Sequence, residues 1–422
     1  MPPPFSTSRT DFAGVSVAEL AKQYGTPLYV YDVASIAGRV EQLRRFNVIR
    51  YAQKALGNIA ILDRMRSMGV KVDAVSVGEI HRARTAGFAV GPGQDDIVYT
   101  ADIFDAASID AVIEYGLPVN CGSPDMISQL GARRPGSEVT LRINPGFGHG
   151  HSQKTNTGGE GSKHGIWHSQ IDECLLRADT HGVTVTGLHM HIGSGTDLEH
   201  LRGVCDSMRT AALSVGRTIR TISAGGGLPV PYKSDESYVD LDEYFSMWDD
   251  MRNALSDAFG HRVNLEIEPG RFLVAECGVM IAEVRAIKKM GGNTFALVDA
   301  GFNDLARAAM YGAYHPISVA SRDGDDVAHR PQIDVVVGGP LCESGDIFTQ
   351  REGGFVESRR LPNPRIGDYL VLEHAGAYGF AMASNYNSKT RAAEVMIEDG
   401  RAKLIRRRET VDDLIAGESI PE

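Results

Sequence analysis

The sequence predicts a fold of class α/β plus β, a (β/α)8 TIM barrel with a second, mainly β C-terminal domain. Three observations lead there. Eight short apolar runs recur at fairly even spacing with helix-like segments between them, which is the rhythm of a closed parallel barrel. After about residue 276 the helical segments give way to strand-like runs separated by turns. The length, 422 residues, exceeds what one small core organises and suits two domains.

In chain order, "SVAELAKQYG" reads as a helix, with Ser16 and Glu19 as a capping box and Gly25 ending it. "TPLYVYD" then reads as a strand. The barrel strands are expected at 47–52, 69–75, 96–100, 117–120, 138–144, 184–192, 219–225 and 263–269. Helical stretches such as "AILDRMRSM" and "YFSMWDDMRNALSDAFG" connect them. The second domain reads from "VMIAEVRAI", "TFALVDA", "IDVVVGG", "DYLVLEH", "AAEVMIED" and "AKLIRRR", with a late helix in "ETVDDLIAG". The expected boundaries are 27–275 for the cofactor-sized barrel, and 1–26 with 276–422 for the β domain. No internal repeat or low-complexity tract is visible. The polar, Gly-rich segment 144–166 is either a functional loop or lid, or a disordered insertion.

Composition narrows the function classes. With 42% hydrophobic and 23% charged residues the chain is that of a globular protein. A formal net charge of −11 argues against a nucleic-acid partner, which leaves a basic footprint. The one basic run, Arg406 to Arg408, is expected on a solvated strand. Five scattered cysteines without a CxxC pair fit neither a disulfide framework nor a zinc knuckle, so a reducing cytoplasm is expected. "MPPPFSTSRTDF" has no apolar core of signal-peptide length, and no window approaches the ~18 apolar residues of a membrane span.

Barrel enzymes carry reactive groups at the C-terminal ends of their strands. Those ends supply Lys54, Asp73, Tyr99, Asn120, Asn144, His191, the triplet Gly225-Gly226-Gly227, and Glu268 with Arg271. Lys54, in "IRYAQKALGN", is either a solvated strand end or an amine held for chemistry, since a buried ammonium is costly. The glycine triplet either presents N–H groups to a phosphate or makes a tight loop. In "EPGR", Arg271 suits bidentate binding of a phosphate or carboxylate. Glu268 would keep a heteroaromatic nitrogen protonated, or the two form a structural pair. His189 and His191 in "HMHIGSG" face the same way. That raises a metal-dependent barrel hydrolase, with His149, His151 and His164 as further ligands. Otherwise one imidazole stacks on a flat cofactor ring, Gly193 and Ser194 meet its phosphate, and the other histidine is a satisfied core residue. In the second domain "GGPLCESGDIF" carries Cys342, Glu343 and Asp346, and "HAGAYGFAMASNYNS" carries Tyr378.

On "YAQKA", "HMHIGSG", "AGGGL", "EIEPGR", "VDAGFNDLARAAMYGAYH", "GGPLCESGD" and "GAYGFAMASNYNS", the sequence resembles the fold-type III (alanine-racemase-like) pyridoxal-phosphate decarboxylases over nearly its whole length. Within them it is most similar to the branch acting on diaminopimelate, and the 144–166 segment to that branch's enterobacterial form. The resemblance implies a lyase of lysine biosynthesis that converts meso-2,6-diaminopimelate to L-lysine and carbon dioxide, with pyridoxal 5'-phosphate as cofactor and no metal. Lys54 would form the Schiff base and a quinonoid would follow. His191 would stack on the ring. Asp73, Ser194, Gly226, Gly227, Glu268, Gly270 and Arg271 would hold the cofactor, with Glu268 on the pyridine nitrogen. Arg271, Arg307 and Tyr311 would bind substrate carboxylates, and Tyr378 would touch both cofactor and substrate. In a homodimer with shared active sites, Cys342 would donate a proton and Glu343 would meet the distal amino group. Leu56 stands where many relatives have asparagine. Rival readings are a decarboxylase of ornithine, arginine or carboxynorspermidine, and a cofactor carrier without turnover.

Overall fold

The computed structural model describes residues 5–149, 156–194 and 197–421. The chain divides into two compact units, one of Ala37–Val230 with Tyr238–Leu273, the other of Met1–Ile36, Pro231–Ser237 and Val274–Glu422.

The first unit is the barrel. Its strands are Val48–Ala52, Lys71–Ala74, Ile97–Ala101, Val119–Cys121, Glu138–Asn144, Thr184–His189, Thr221–Ser223 and Asn264–Ile267. Each pairs in parallel with the next, and Asn264–Ile267 pairs with Val48–Ala52 to close the ring. All eight lie where the apolar runs put them. Side-chain caps start the connecting helices: Ser76 accepts from Glu79 N, Asp105 from Ser108 N and Asp240 from Glu243 N. The long helix Leu241–Phe259 buries Tyr244, Trp248, Met251, Leu255 and Phe259. Their three- and four-residue spacing makes one apolar stripe, each side chain contributing about 1.5–3 kcal/mol by burial.

The second unit is built on a sheet in the order Arg359–Pro362, Gln332–Gly338, Asn293–Val298, Gly278–Met290, Leu28–Asp32, Ala393–Glu398, Arg401–Arg406, with Tyr369–Leu372 pairing both Gly278–Met290 and Ile317–Ala320. The helix Val17–Tyr24, capped by Ser16 and ended at Gly25, joins its core through Val17, Leu20 and Ala21.

Two expectations change here. The boundary expected at residue 27 puts Leu28–Asp32 on the barrel side, yet it is a central strand of this second sheet, antiparallel to Gly278–Met290 and parallel to Ala393–Glu398. A strand buried on both faces wants a partner on each side, and its own sequence does not say which. The barrel unit accordingly begins at Ala37, ends at Leu273 and lends Pro231–Ser237 to the β unit. The run Arg406–Arg408 is not simply solvated. Arg406 pairs with buried Glu394, Arg407 with Asp413, and Arg408 donates to Pro27 O at 2.6 Å.

Among the described residues no helix is long and apolar enough to cross a membrane. Cys121, Cys174, Cys205 and Cys277 are buried and free, whereas Cys342 is exposed. Burial pushes the four buried thiols up, to about 12 at Cys174 and Cys205. They are protonated and unreactive at neutral pH.

Candidate active site

Parallel register turns the period-2 alternation of the strands into a polar ring at one end of the barrel. Asp73 is in register with Val98, two residues before Thr100; Thr100 is in register with Asn120 and Ser223 with His189. These side chains meet inside. Asn120 Nδ2 donates to Thr100 Oγ1 at 2.9 Å and to Glu268 Oε1 at 3.3 Å, and Ser223 Oγ donates to the same oxygen at 3.5 Å. His189 Nε2 lies 2.6 Å from Glu268 Oε2. Burial alone would raise the carboxyl of Glu268, but His189, Arg50 and Arg142 hold it below the usual value. Asp73 goes the other way. Desolvation and the negative charge of Glu268 push it up to about 8, against the opposing pull of Lys54 and a bond from Thr100. The site therefore holds one anionic and one neutral carboxyl at pH 7.

Lys54 lies in the turn Gln53–Ala55 that ends the first barrel strand. Its neighbours Gln53, Ala55 and Leu56 are buried while Lys54 itself is exposed, so the lysine emerges at the mouth instead of being enclosed. Its positive charge favours the ionised forms of Asp73 and Glu79 and disfavours protonation of His191. His191 sits just past the strand Thr184–His189, half-buried. Desolvation, then the cations Arg142 and Lys54, hold its imidazole well below its ordinary value, so it is neutral. Leu56 is buried and its carbonyl accepts from Tyr51 at 3.1 Å.

The glycine triplet is required by close approach. A Cβ on Gly225 would stand 2.1 Å from Met190 O, and one on Gly226 2.6 Å from Glu268 O and 3.7 Å from the His191 ring; Gly225 and Gly227 also have positive φ. Glu268 N donates to Gly225 O at 2.7 Å, tying the triplet to the "EPGR" turn. Arg271, just beyond, is buried at the start of a single helical turn, Arg271–Val274.

The 144–166 segment is anchored where it is described. Asn144 donates to Gly159 O and His164 O, and Asp102 accepts from His164 Nδ1 at 2.7 Å and Gly165 N at 2.9 Å. Thr157 N donates to Ile192 O. His151 lies outside the described residues. The metal-hydrolase reading loses its geometry, because His189 is committed to Glu268 and His164 to Asp102. The described group with ligand-like proximity is instead His149, Asp197 and His200.

In the β unit the motifs read separately in sequence converge. The turn 338–348 is pinned by buried Asp346, whose carboxylate accepts from Phe302 N at 2.7 Å and Leu341 N at 2.8 Å. Cys342 N donates to Asn387 Oδ1 at 2.8 Å, and Cys342, Glu343 and Ser344 are exposed. Phe302 stacks on Tyr386. Tyr378 has φ 57, a strained value for an aromatic residue. Arg307 is buried and donates to Tyr232 Oη at 3.2 Å and His315 Nε2 at 2.9 Å. Tyr311, ending the helix Arg307–Tyr311, is half-buried. Thr100, Ser223, Tyr232, His315 and Asn387 were not singled out from the sequence. Strand alternation was the available signal for Thr100 and Ser223.

The family model of the pyridoxal-dependent decarboxylases, pyridoxal binding domain, matches residues 34–275. The chain belongs to this family. Diaminopimelate decarboxylase of Escherichia coli K12 is 52% identical over 416 residues, covering 99% of each chain. That of Streptomyces coelicolor is 54% identical over 408 residues, covering 97% of this chain and 92% of its own. A crystal structure of diaminopimelate decarboxylase superposes with TM-score 0.94 at 52% identity, covering 98% of this chain and 99% of that one. This family member is a lyase whose cofactor is pyridoxal phosphate, and the residues present fit that group. The mouth offers one exposed amine, Lys54; an anionic carboxyl, Glu268; a strip at Gly226 with no room for a Cβ; and a neutral ring, His191, whose Nδ1 has no partner among the described residues.

Proposed function

We propose that this chain removes carbon dioxide from meso-2,6-diaminopimelate to give L-lysine, the last step of lysine biosynthesis. The observation that carries it is the polar barrel mouth, with Lys54, His191 and an ionised Glu268 together, in a chain about half identical to diaminopimelate decarboxylases over their whole length. Pyridoxal phosphate supplies an aldehyde that takes up amines and a protonated ring that accepts the electron pair left by the departing carboxylate.

The protein's own groups do the rest. Lys54 would be the amine that holds the aldehyde. Glu268, kept anionic with His189 beside it, would hold a proton on the ring nitrogen. His191, held neutral by desolvation and the nearby cations, would lie against the ring without adding a competing positive charge. The N–H groups of the glycine triplet and Gly270, with Ser194, would receive phosphate, and the charge of the Lys54 amine acts on Asp73. Arg271, Arg307, Tyr311 and Tyr378 receive substrate. In a homodimer, Cys342 and Glu343 of one chain complete the partner's site, Cys342 returning a proton to Cα. Support for that last part is the pinned turn on which both residues are exposed. Five cysteines without disulfides suit a cytoplasmic location.

The deciding assay is carbon dioxide release from meso-diaminopimelate beside ornithine and arginine. Turnover of the first is expected, and preference for either of the others would reject the substrate. Borohydride should bleach the yellow protein and label the peptide holding Lys54. Mixing Lys54→Ala with Cys342→Ala chains should restore partial activity, and no recovery under proven subunit exchange would reject the shared site.

A further inference from the structure

Two passages of the barrel unit bring together three side chains that the scheme above does not use, His149, Asp197 and His200. The first passage leaves the strand Glu138–Asn144. Its Phe147 lies against Gly203 of the helix Leu198–Val215, the ring 3.3 Å from where a Cβ on that glycine would stand. His200 and Gly203 are three apart on the helix and share a face. His149, two residues after Phe147, meets His200 there, and the two imidazoles stack with centroids 4.0 Å apart and 7° between their planes. His149 N also donates to Ile192 O at 3.2 Å, which ties down its backbone.

The second passage is the start of that helix. Asp197 is its N-cap, and Oδ1 accepts from His200 N at 2.9 Å. Nδ1 of His200 lies 2.8 Å from each oxygen of the same carboxylate. Nδ1 of His149 lies 3.6 Å from Oδ2, too far for a hydrogen bond. That nitrogen is buried and has no hydrogen-bond partner among the described residues. One ligand atom from each of the three residues lies within 4.8 Å of the others. Two ligands held about 2.0–2.1 Å from a tetrahedral ion stand roughly 3.3 Å apart, between the two separations from Oδ2. A hydrogen-bonded cluster accounts for His200 but leaves Nδ1 of His149 idle. An ion shared by all three employs both rings.

We propose that His149, Asp197 and His200 form a binding site for a divalent cation of the zinc class, with water completing its coordination. Two imidazoles and a carboxylate are the donor set that suits such an ion. The side chains are between one-third and one-half exposed, so the ion enters from solvent. It takes no part in the reaction. It clips the segment bonded to Ile192 onto the helix that follows Ser194, and the site stands independently of the function proposed above.

The test titrates chelator-treated holoenzyme with Zn2+ in a calorimeter. One tight Zn2+ per chain is expected for the parent, and His149→Gln and His200→Ala should each weaken it about tenfold or more. Asp197→Asn keeps a helix cap and removes only the anionic ligand. It should weaken Zn2+ comparably while the metal-free thermal midpoint stays within about 2 °C of the parent. Saturating Zn2+ should raise the parent's midpoint by about 2 °C or more and leave that of His200→Ala unmoved. A parent that takes up no Zn2+ below about 1 mM overturns the proposal. So does binding of unchanged strength in all three variants, which would put the ion on other histidines or on Cys342. Should His200→Ala not fold, Asp197→Asn decides by the same criterion.

Discussion

His189 Nε2 stands 2.6 Å from Glu268 Oε2 with both side chains buried, and this contact fixes the charge at the centre of the site. It ties the third-from-last barrel strand to the turn after the last one, and it keeps a desolvated carboxyl ionised. Glu268→Gln keeps the shape and removes the charge. Turnover should fall by about 100-fold or more while the fold survives, as measured by steady-state rates beside circular dichroism. A variant within about twofold of the parent would deny Glu268 its electrostatic role.

The same carboxyl sets an acid limit. Its folded-state value is depressed, so the stability it contributes is present above the ordinary carboxylate range and is lost as pH falls through the folded value. Thermal midpoints of the parent should drop more steeply below pH 5 than those of Glu268→Gln.

Asp73 has the opposite sign. Its carboxyl is raised to about 8, so the folded protein holds a proton there that the unfolded chain has released by about pH 5. The associated stability is full at low pH and is lost as pH rises towards 8. Asp73→Asn should flatten that decline in thermal midpoint between pH 5 and 8. Parallel curves would show that Asp73 does not carry the proton.

Gly226→Ala tests the close approach. The new Cβ would meet Glu268 O at 2.6 Å, so the Glu268 turn must shift. Weaker cofactor retention on dialysis and a stability loss of about 1–3 kcal/mol are expected, the first from a displaced Glu268 and the second from the strain.

Asp346→Ala removes the acceptor for Phe302 N and Leu341 N. Leaving both donors unsatisfied should cost about 1–3 kcal/mol each at most. The turn carrying Cys342 and Glu343 should loosen, lowering kcat more than cofactor affinity. Unchanged kcat in a folded variant would detach this turn from catalysis.

Much was legible before folding. The eight barrel strands, the capped helix from Val17 and the strands of the second unit follow from local spacing of apolar residues, caps and glycines, all set within a few residues of one another. The motif residues at strand ends were equally visible, because the end of a strand is a local property. Partnership was not. Leu28–Asp32 reads as a strand in isolation, but only its pairing on both edges, with Gly278–Met290 and Ala393–Glu398, puts it in the β unit. Tertiary structure also decided that His189 meets Glu268, that Arg307 lies against Tyr232 and His315, and that Asn387 clamps Cys342. Those contacts join residues 8 to 79 positions apart, where sheet register and the need to satisfy buried polar groups choose the partner. Periodicity can say that a side chain points inward. Which charge it finds there is settled by the closed barrel.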